Sequence, residues 1–230
     1  MIKNKKIAFV CAFHQSKIHR PNGFELFNEY IKSIYSSCNY PFKLFAFDNA
    51  SDDKFEIENC PDNLVITRVE DQYIGGVTYT WNAGIKLAVQ DDYDVVIITS
   101  DDQIYNETIN DFIDVILTYK YNDNTIFGPV TNNPNNSHQL ANKPNGKIWE
   151  ISGEPRNELN GFCLAMTRET IMNNYYDNKN NFFSTNENHI WGGQDVEVQS
   201  RVKHSIVVGT CYVEHKKQGG WREIRKGYRG

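Results

Sequence analysis

Two adjacent carboxylates at the end of an apolar run are the residues with the clearest chemistry in this chain. Asp101 and Asp102 follow the β-branched run 95–98, which has the pattern of a parallel strand buried on both faces. In open α/β sheets, ligands bind at the carboxyl ends of such strands. Two carboxylates there would offer hard oxygen ligands to a divalent cation, which in turn would bridge a nucleotide diphosphate. Taken alone, the pair is equally well explained as the cap of a helix beginning near Asn106.

A second polar group follows another strand-like run. Asp48, Asn49 and Ser51 come directly after a strand predicted over 42–47. Short polar side chains at a strand end could bind a nucleobase and a ribose through hydrogen bonds. The same residues are well suited to an Asx turn, so this group is weak when taken alone. Its importance depends on whether it lies near the Asp101–Asp102 pair.

A glycine pair precedes a predicted helix. Gly75 and Gly76 open the segment that carries Asn82 and Gly84. Glycines at a helix entrance let a ligand approach the backbone and expose free N–H groups. The pair is not the dinucleotide fingerprint of spaced glycines, and it does not follow the first strand, so a dinucleotide-binding fold is not indicated. Most isolated glycine pairs are simply turns.

The segment 190–197 has an unusual composition. Trp191, Gly192, Gly193 and Gln194 lead into Asp195, at the start of a helix predicted over 195–203. Asp195 is either the N-cap of that helix or a positioned base that takes a proton from a hydroxyl group.

A histidine follows the last predicted strand, which covers 206–213. His215 stands at its end, as the carboxylates stand at the ends of other strands. A single exposed histidine usually has no special role. At this position it is a candidate nitrogen ligand for the metal bound by the carboxylates. A site of Asp plus His, with places left for phosphate oxygens and water, suits Mn²⁺ or Mg²⁺.

These residues need a scaffold that brings strand ends together, and the patterning predicts one. Strand-like and helix-like segments alternate in the first half, which indicates βαβ units and a mainly parallel sheet flanked by helices, the α/β class. Predicted strands cover 7–13, 42–47, 64–66, 95–98, 161–166 and 206–213. Helical spacing of apolar residues marks 24–34, 74–88 and 109–117, and a short helix is expected over 168–174. The Asn- and Pro-rich stretch 131–145 is predicted to be a long loop.

Composition restricts the class of protein further. The 230 residues carry a net charge of −5, which gives no sign of nucleic-acid binding. Five scattered cysteines without a CxxC pair favour a reducing compartment, and no apolar run approaches the ~20 residues of a membrane span. We therefore expect a cytoplasmic protein without an integral membrane segment. The stretch 216–230 holds six Lys or Arg against one Glu, which is either a solvated terminus or an anion-binding tail.

Taken in order, these motifs resemble those of the GT-A glycosyltransferases, nucleotide-diphospho-sugar transferases of the family-2 type. Ala12 and Phe13 at the end of strand one, with the run 48–52, look like the nucleoside-binding elements of that superfamily. Ser100 with the two following aspartates looks like its DxD metal site. The segment 191–195 resembles the Trp-Gly-Gly-Glu motif of β-1,4-galactosyltransferases and polypeptide N-acetylgalactosaminyltransferases. Those enzymes also carry a metal-binding histidine after the next strand, where His215 stands.

The resemblance implies a single GT-A domain over 1–230, with a nucleotide-binding half (1–105), an acceptor-binding half (106–215) and a basic tail or lid (216–230). It implies a nucleotide-diphospho-sugar donor, with UDP favoured, and a glycan, protein or other hydroxyl acceptor. The implied donor-binding residues are Ala12, Phe13, Asp48, Asn49, Ser51, Gly76, Asn82, Ser100, Asp101, Lys216 and Arg222. The implied residues around the acceptor and the donor sugar are Gly161, Trp191, Gly192, Gly193 and Gln194.

This chain departs from the family pattern at two places. The first DxD position is Thr99 or Ser100, so we expect Asp102 to bind the metal and Asp101 to face the ribose or share the metal. Gln194 replaces the usual acid before Asp195, which leaves Asp195 as the expected base of an inverting reaction. Two other functions remain open. A sugar-phosphate nucleotidyltransferase is disfavoured because no Gly-rich, basic loop follows strand one. A non-catalytic sugar- or nucleotide-binding module is disfavoured by the intact set of Asp102, Asp195 and His215.

Overall fold

The computed structural model describes residues 4–69, 76–154, 157–186, 189 and 193–216. Within them, nine strands form one sheet, and five helices pack against it. The strands are β1 (Ile7–Phe13), β2 (Phe42–Asn49), β3 (Leu64–Val69), β4 (Val95–Ser100), β5 (Gln103–Ile104), β6 (Thr125–Thr131), β7 (Ile148–Ile151), β8 (Cys163–Thr167) and β9 (His204–His215). The helices are α1 (Gly23–Ser37), α2 (Gly76–Gln90), α3 (Thr108–Thr118), α4 (Arg168–Asn173) and α5 (Gln194–Gln199).

The first four long strands form a parallel half-sheet in the order β3-β2-β1-β4. All seven residues of β1 are buried, as expected for a strand covered by helices on both faces. The register pairs Phe13 with Asp48 and Ala12 with Ser100. The carboxyl ends of β1, β2 and β4 therefore meet at one edge, as the sequence predicted.

The second half of the sheet is mixed rather than parallel. β8 lies antiparallel between β4 and β6, β6 and β9 are parallel, and β5 and β7 pair antiparallel with β9. The expected predominance of parallel pairing therefore holds only for the first half. An antiparallel neighbour requires no crossover helix, so strands can join this half through loops alone.

Apolar side chains fill both faces of the sheet. On one face, Phe27 of α1 and Phe112 of α3 pack in a cluster with Phe9. On the other face, Ile85 of α2 and Val198 of α5 belong to a second cluster. The close approach of α2 depends on Gly84, since a Cβ there would lie 2.3 Å from Cγ1 of Val10.

Sequence patterning located the strands that form continuous apolar runs and missed three others. β5, β6 and β7 were not predicted, and α5 ends at Gln199 rather than near 203. Within β6, Gly128 and Pro129 obscure the strand pattern. Residues 132–147 form the predicted long connection, with β7 directly after it. None of the described helices is long and apolar enough to cross a membrane.

Candidate functional site

The candidate nucleoside-binding residues lie at the shared edge of β1 and β2. Asp48 is buried, and its two carboxylate oxygens accept hydrogen bonds from Nη1 of Arg68 at 2.9 Å and from the Ser51 N–H at 3.1 Å. Ser51 in turn accepts from the backbone N–H of Gln15 at 2.9 Å. Ala50, between Asp48 and Ser51, has a positive φ of 53°, which turns the chain sharply at the end of β2. The predicted Asx-type turn and the predicted polar cluster are thus the same structure.

Loop 14–20, between β1 and α1, is bonded to the end of β2. Nδ1 of His14 lies 2.8 Å from the carbonyl oxygen of Asn49. Phe13 stacks on Phe27 with ring centroids 3.8 Å apart, so its side chain belongs to the core. If Phe13 contacts a ligand in this arrangement, it does so through its backbone. Ala12, Asn49 and Ser51 are likewise almost fully buried.

Asp101 is held in a buried ion pair. Nη1 and Nη2 of Arg20 donate to its two carboxylate oxygens at 2.7 and 2.8 Å, and both side chains are 4% exposed. Arg20 also donates to the carbonyl oxygen of His14 at 3.2 Å. Each oxygen of Asp101 therefore already accepts one hydrogen bond from Arg20, a cation of loop 14–20 that the strand pattern does not reveal. The expected role of Asp101 at the ribose or the metal stays a prediction.

Asp102 and His215 are brought together by strand pairing. β5 runs antiparallel to the end of β9, with Gln103 opposite His215. Oδ2 of Asp102 lies 3.3 Å from Nε2 of His215, while Oδ1 accepts from Oγ of Ser100 at 2.8 Å. Burial alone would raise the pKa of Asp102, but the hydrogen bond and charge of His215, with the Ser100 hydroxyl, lower it to about 2. Asp102 is therefore a carboxylate at neutral pH.

This pair has the donor chemistry of a metal site. Nδ1 of His215 lies 3.1 Å from the carbonyl oxygen of Asn133, which can only accept, so Nδ1 carries the proton. Nε2 faces Oδ2 of Asp102 and donates to it when it carries a proton; a bound cation would take the place of that proton. An Nδ1–H bonded to a carbonyl oxygen is the arrangement that metal-binding histidines commonly have. The 3.3 Å between the two donor atoms is close to the roughly 3 Å between neighbouring ligands of one ion. Among the residues that the structure describes, no cluster of three His, Cys, Asp or Glu side chains completes a site, so a bound ion would need ligands from elsewhere.

Asp195 lies in the first turn of α5 and faces Gly161. Its Oδ2 accepts from the Gly161 N–H at 3.0 Å, and Oδ1 lies 3.1 Å from its neighbour Val196 N–H. Burial raises the pKa of Asp195, although these backbone N–H groups oppose the shift. A Cβ on residue 161 would lie 3.1 Å from Oδ2, so only glycine permits this close approach without a shift. A carboxylate with a raised pKa is suited to accepting a proton.

The rest of the Trp-Gly-Gly segment is described only in part. Gly193 has a φ of 82° and precedes α5, a left-handed conformation that favours glycine. Gln194 is 5% exposed. Trp191 and Gly192 lie outside the described residues, as do Arg222 and the basic segment 217–230.

Three further donor-side residues lie at or near α2 and the end of β9, and two of them, Asn82 and Lys216, have hydrogen-bond partners within the protein. Gly76 is the first residue of α2, and Gly75 lies outside the described residues. The Asn82 side chain accepts from the N–H groups of Phe182 and Phe183 at 3.0 and 2.9 Å and donates to the Phe183 carbonyl. Asn82 thus fastens loop 182–183 to α2. The Lys216 N–H donates to the Asp102 carbonyl at 3.0 Å, while its ammonium pairs with Glu29.

Sequence reasoning missed several residues that shape this site. Arg20 pairs with Asp101, and Gln103 donates through Nε2 to Oδ1 of Asp102 at 3.3 Å. Asn132 accepts from the His215 N–H at 2.8 Å through its side-chain oxygen. None of these forms a recognisable motif. The available signals were the placement of Gln103 just after β4 and of Asn132 at the start of the Asn-rich loop, and Arg20 had none.

No protein-family model matches the sequence, and no curated protein is significantly similar to it. Solved structures do match. The crystal structure of S. aureus TarS 1–349 has a TM-score of 0.57 at 12% identity and covers 90% of this chain and 60% of that one. Its complex with UDP gives 0.59 at 13% identity, covering 91% and 60%. The structure of GalNAc-T7 with UDP, GalNAc and Mn²⁺ gives 0.64 at 12% identity, covering 92% of this chain and 43% of that one.

At these identities the similarity is one of fold. The chain spans three-fifths or less of the length of each of these structures, which extend beyond the matched region. Conversely, nine-tenths of this chain is matched, so the likeness includes both the parallel and the mixed half of the sheet. The chain therefore shares the GT-A fold of these structures.

Proposed function

We propose that this protein is a metal-dependent glycosyltransferase that transfers a sugar from a nucleotide-diphosphate donor to a hydroxyl acceptor. The observation that carries the proposal is the Asp102–His215 pair, with donor atoms 3.3 Å apart, at the edge of the sheet where β1, β2 and β4 end. In open α/β sheets this edge is the usual ligand site. The similarity of the fold to solved structures that hold UDP supports the same proposal.

The nucleoside would bind at the strand ends that carry Asp48, Asn49 and Ser51. Asp48 and Ser51 already form a connected hydrogen-bonded turn, so this turn is organised before a ligand arrives. UDP is the favoured nucleotide, because two of the similar solved structures hold UDP. Backbone groups at Ala12 and the hydroxyl of Ser100 would complete the pocket. The segment that contains Arg222 is proposed to close over the diphosphate.

Asp102 and His215 would hold the metal, and Mn²⁺ or Mg²⁺ fits a carboxylate and imidazole set that leaves positions for phosphate oxygens. When bound, such an ion supplies Lewis-acid stabilisation of the charge on a leaving diphosphate. The protein contributes the orientation of the ligands. Ser100 and Gln103 hold Oδ1 of Asp102, and the Asn133 carbonyl holds Nδ1 of His215. Asp101, buried in its ion pair with Arg20, would support the strand end next to Asp102 rather than bind the ion.

Asp195 would act as the base that takes the proton of the acceptor hydroxyl. Its raised pKa and its two backbone N–H partners make it a fixed, proton-accepting carboxylate. Direct attack by an acceptor activated in this way displaces the nucleotide with inversion at the sugar carbon. Gly161, Gly193 and Gln194 would lie around the acceptor and the donor sugar, together with Trp191 and Gly192.

A calorimetric titration tests the donor class and the metal site together. The protein would be titrated with UDP, GDP, dTDP and CMP, each with and without Mn²⁺. We expect metal-dependent binding of one nucleotide, preferentially UDP, and its loss in Asp102→Ala. The control is Asp62→Ala, which removes the same charge at an exposed turn and should bind like the wild type.

Turnover then separates an enzyme from a binding module. Release of UDP from a panel of UDP-sugars, with water or an added acceptor, should be metal-dependent. Nucleotide binding without any such release would favour the non-catalytic module. Pyrophosphate release from a sugar phosphate and a nucleoside triphosphate would favour a nucleotidyltransferase instead. Failure of all four nucleotides to bind would contradict the proposed donor site.

A further inference from the structure

Segment 158–161 carries the Gly161 N–H that bonds to Asp195, yet it belongs to no strand or helix. Leu159 and Asn160 within it are nevertheless buried, at 0% and 4% exposure. Buried backbone groups outside regular structure need other hydrogen-bond partners. In this segment, side chains supply them.

Two buried glutamines hold the segment. Oε1 of Gln199 accepts from the Leu159 N–H at 2.7 Å, and its Nε2 donates to the carbonyl oxygens of Leu159 and Asp195 at 2.9 and 2.7 Å. Oε1 of Gln139 accepts from the Asn160 N–H at 2.8 Å, and its Nε2 donates to the Pro129 carbonyl at 2.8 Å. Gln199 thus ties the segment to α5, and Gln139 ties it to β6.

Gln139 ends an Asn-rich loop, 132–139, that makes two further bonds to the segment. The Asn135 N–H donates to Oδ1 of Asn160 at 2.6 Å, and Nδ2 of Asn136 donates to the Glu158 carbonyl at 2.5 Å. At its other end the same loop bonds to His215, through the side chain of Asn132 and the carbonyl of Asn133. One loop therefore contacts both the candidate metal ligand and the support of the candidate base.

We propose that Gln139 is a positioning residue for Asp195: by fixing Asn160 to the end of β6, it keeps the Gly161 N–H directed at the Asp195 carboxylate. Because loop 132–139 bonds both to segment 158–161 and to His215, it fixes the position of that segment relative to His215. That this positioning matters for catalysis rests on the proposed function. That Gln139 positions the Gly161 N–H does not. Without Gln139, the Asn160 N–H and the Pro129 carbonyl lose the hydrogen bonds that its amide makes to them, and the segment loosens. Asp195 then loses a hydrogen bond that favours its charged form.

The test compares Gln139→Met, which is similar in size but has no amide, with Leu140→Ala, an exposed control on the same stretch of chain. Amide hydrogen exchange of Gly161 and the NMR titration of the Asp195 carboxyl carbon are measured in the protein without substrate. In Gln139→Met we expect exchange of the Gly161 amide to accelerate about tenfold or more relative to amides of β1. We also expect the pKa of Asp195 to rise by about half a unit or more. Leu140→Ala should change neither.

Gln139→Met removes two buried hydrogen bonds to backbone groups, so its folding must be checked by circular dichroism. If it does not fold, Asn160→Ala replaces it, because among the residues that the structure describes that variant removes the side-chain bond from Asn135 alone. It should move both measurements in the same direction by a smaller amount. A folded variant with wild-type exchange at Gly161 and a wild-type pKa at Asp195 would overturn the proposal.

Turnover distinguishes this inference from the proposed function. With a UDP-sugar that the wild type hydrolyses, Gln139→Met should lower kcat about tenfold, leave the KM for the donor within about twofold, and move the acid limb of the pH profile upward. A wild type that binds no nucleotide would count against the proposed function alone. In that case, faster exchange of the Gly161 amide and a raised pKa of Asp195 in Gln139→Met would still support the positioning role of Gln139.

Discussion

Arg20 and Asp101 form a two-point ion pair that is closed off from solvent. The guanidinium nitrogens lie 2.7 and 2.8 Å from the two carboxylate oxygens, and each side chain is 4% exposed. Burial raises the pKa of Asp101, and Arg20 opposes that shift. Arg20 neutralises the charge of Asp101. Of the two adjacent carboxylates, Asp102 is therefore the one whose charge is available to a ligand at this edge of the sheet.

Removing Arg20 should destabilise the protein strongly. In Arg20→Met, Asp101 is left as an unpaired buried charge, which typically costs about 3–5 kcal/mol of unfolding free energy. Urea denaturation measures this loss. The control is Lys5→Met, which breaks an ion pair with Asp94 whose side chains are 46% and 30% exposed and should cost no more than about 1 kcal/mol. Equal losses in the two variants would contradict the buried-pair interpretation.

Asp195 should give turnover an acid limb at a pH above the ordinary range of an aspartate. Burial raises its pKa, so the proton-accepting form is lost as the pH falls through that raised value. We expect kcat to fall on the acid side with a single ionisation. Asp195→Asn should lower the rate about 10²- to 10⁴-fold and abolish this limb. A variant with full activity would remove the base assignment.

The same group predicts an effect on stability with the opposite sign. A carboxyl whose pKa is higher in the folded than in the unfolded state binds its proton more tightly when folded. Its contribution to stability is therefore present at low pH and is lost as the pH rises from the ordinary aspartate value through the raised one. Asp195→Asn should show a smaller decline of unfolding free energy over that window than the wild type. Denaturation at several pH values measures it, and parallel curves would argue against a raised pKa.

Gly161→Ala should impair turnover while leaving nucleotide binding intact. The added Cβ would lie 3.1 Å from Oδ2 of Asp195 and displace the carboxylate. The carboxylate must move by only a few tenths of an ångström, so we expect a loss in rate of about tenfold, less than the 10²-fold that a misplacement of about 1 Å can cost. In the background of Asp195→Asn the same substitution should have little further effect, because both act through one carboxylate. Additive losses would indicate that Gly161 acts elsewhere.

The metal ligands can be tested by binding alone. We expect EDTA to abolish the tight binding of UDP, and His215→Ala to weaken Mn²⁺-dependent binding at least about tenfold. His138→Ala, on the Asn-rich loop, is the matched control, because the bond that the structure gives His138 uses its backbone N–H. Loss of binding in both variants would point to disruption of the loop rather than to a lost ligand.

The sequence predicted those parts of the site that depend on strand ends. Asp48, Ser100 and Asp102 follow apolar runs, and parallel pairing brings such ends to one edge whatever the loops do. Arg20 could not be predicted, because nothing in its neighbours distinguishes a buried cation from an exposed one. Asn82 was expected to face the donor, and a pattern cannot show that its amide bonds to Phe182 and Phe183. The role of Gln139 also depends on tertiary contacts.

The pairing of β5 with the end of β9 has a consequence for folding. The two-residue β5 completes the sheet only through its bonds to β9, which is distant in sequence, and such non-local contacts carry the largest closure entropy. The parallel half, β1 to β4, uses more local pairings. We therefore expect the half-sheet to form first and the Asp102–His215 pair to be joined late. During refolding, metal-dependent nucleotide binding should then appear only after most of the secondary structure has formed, and its appearance would report the last step.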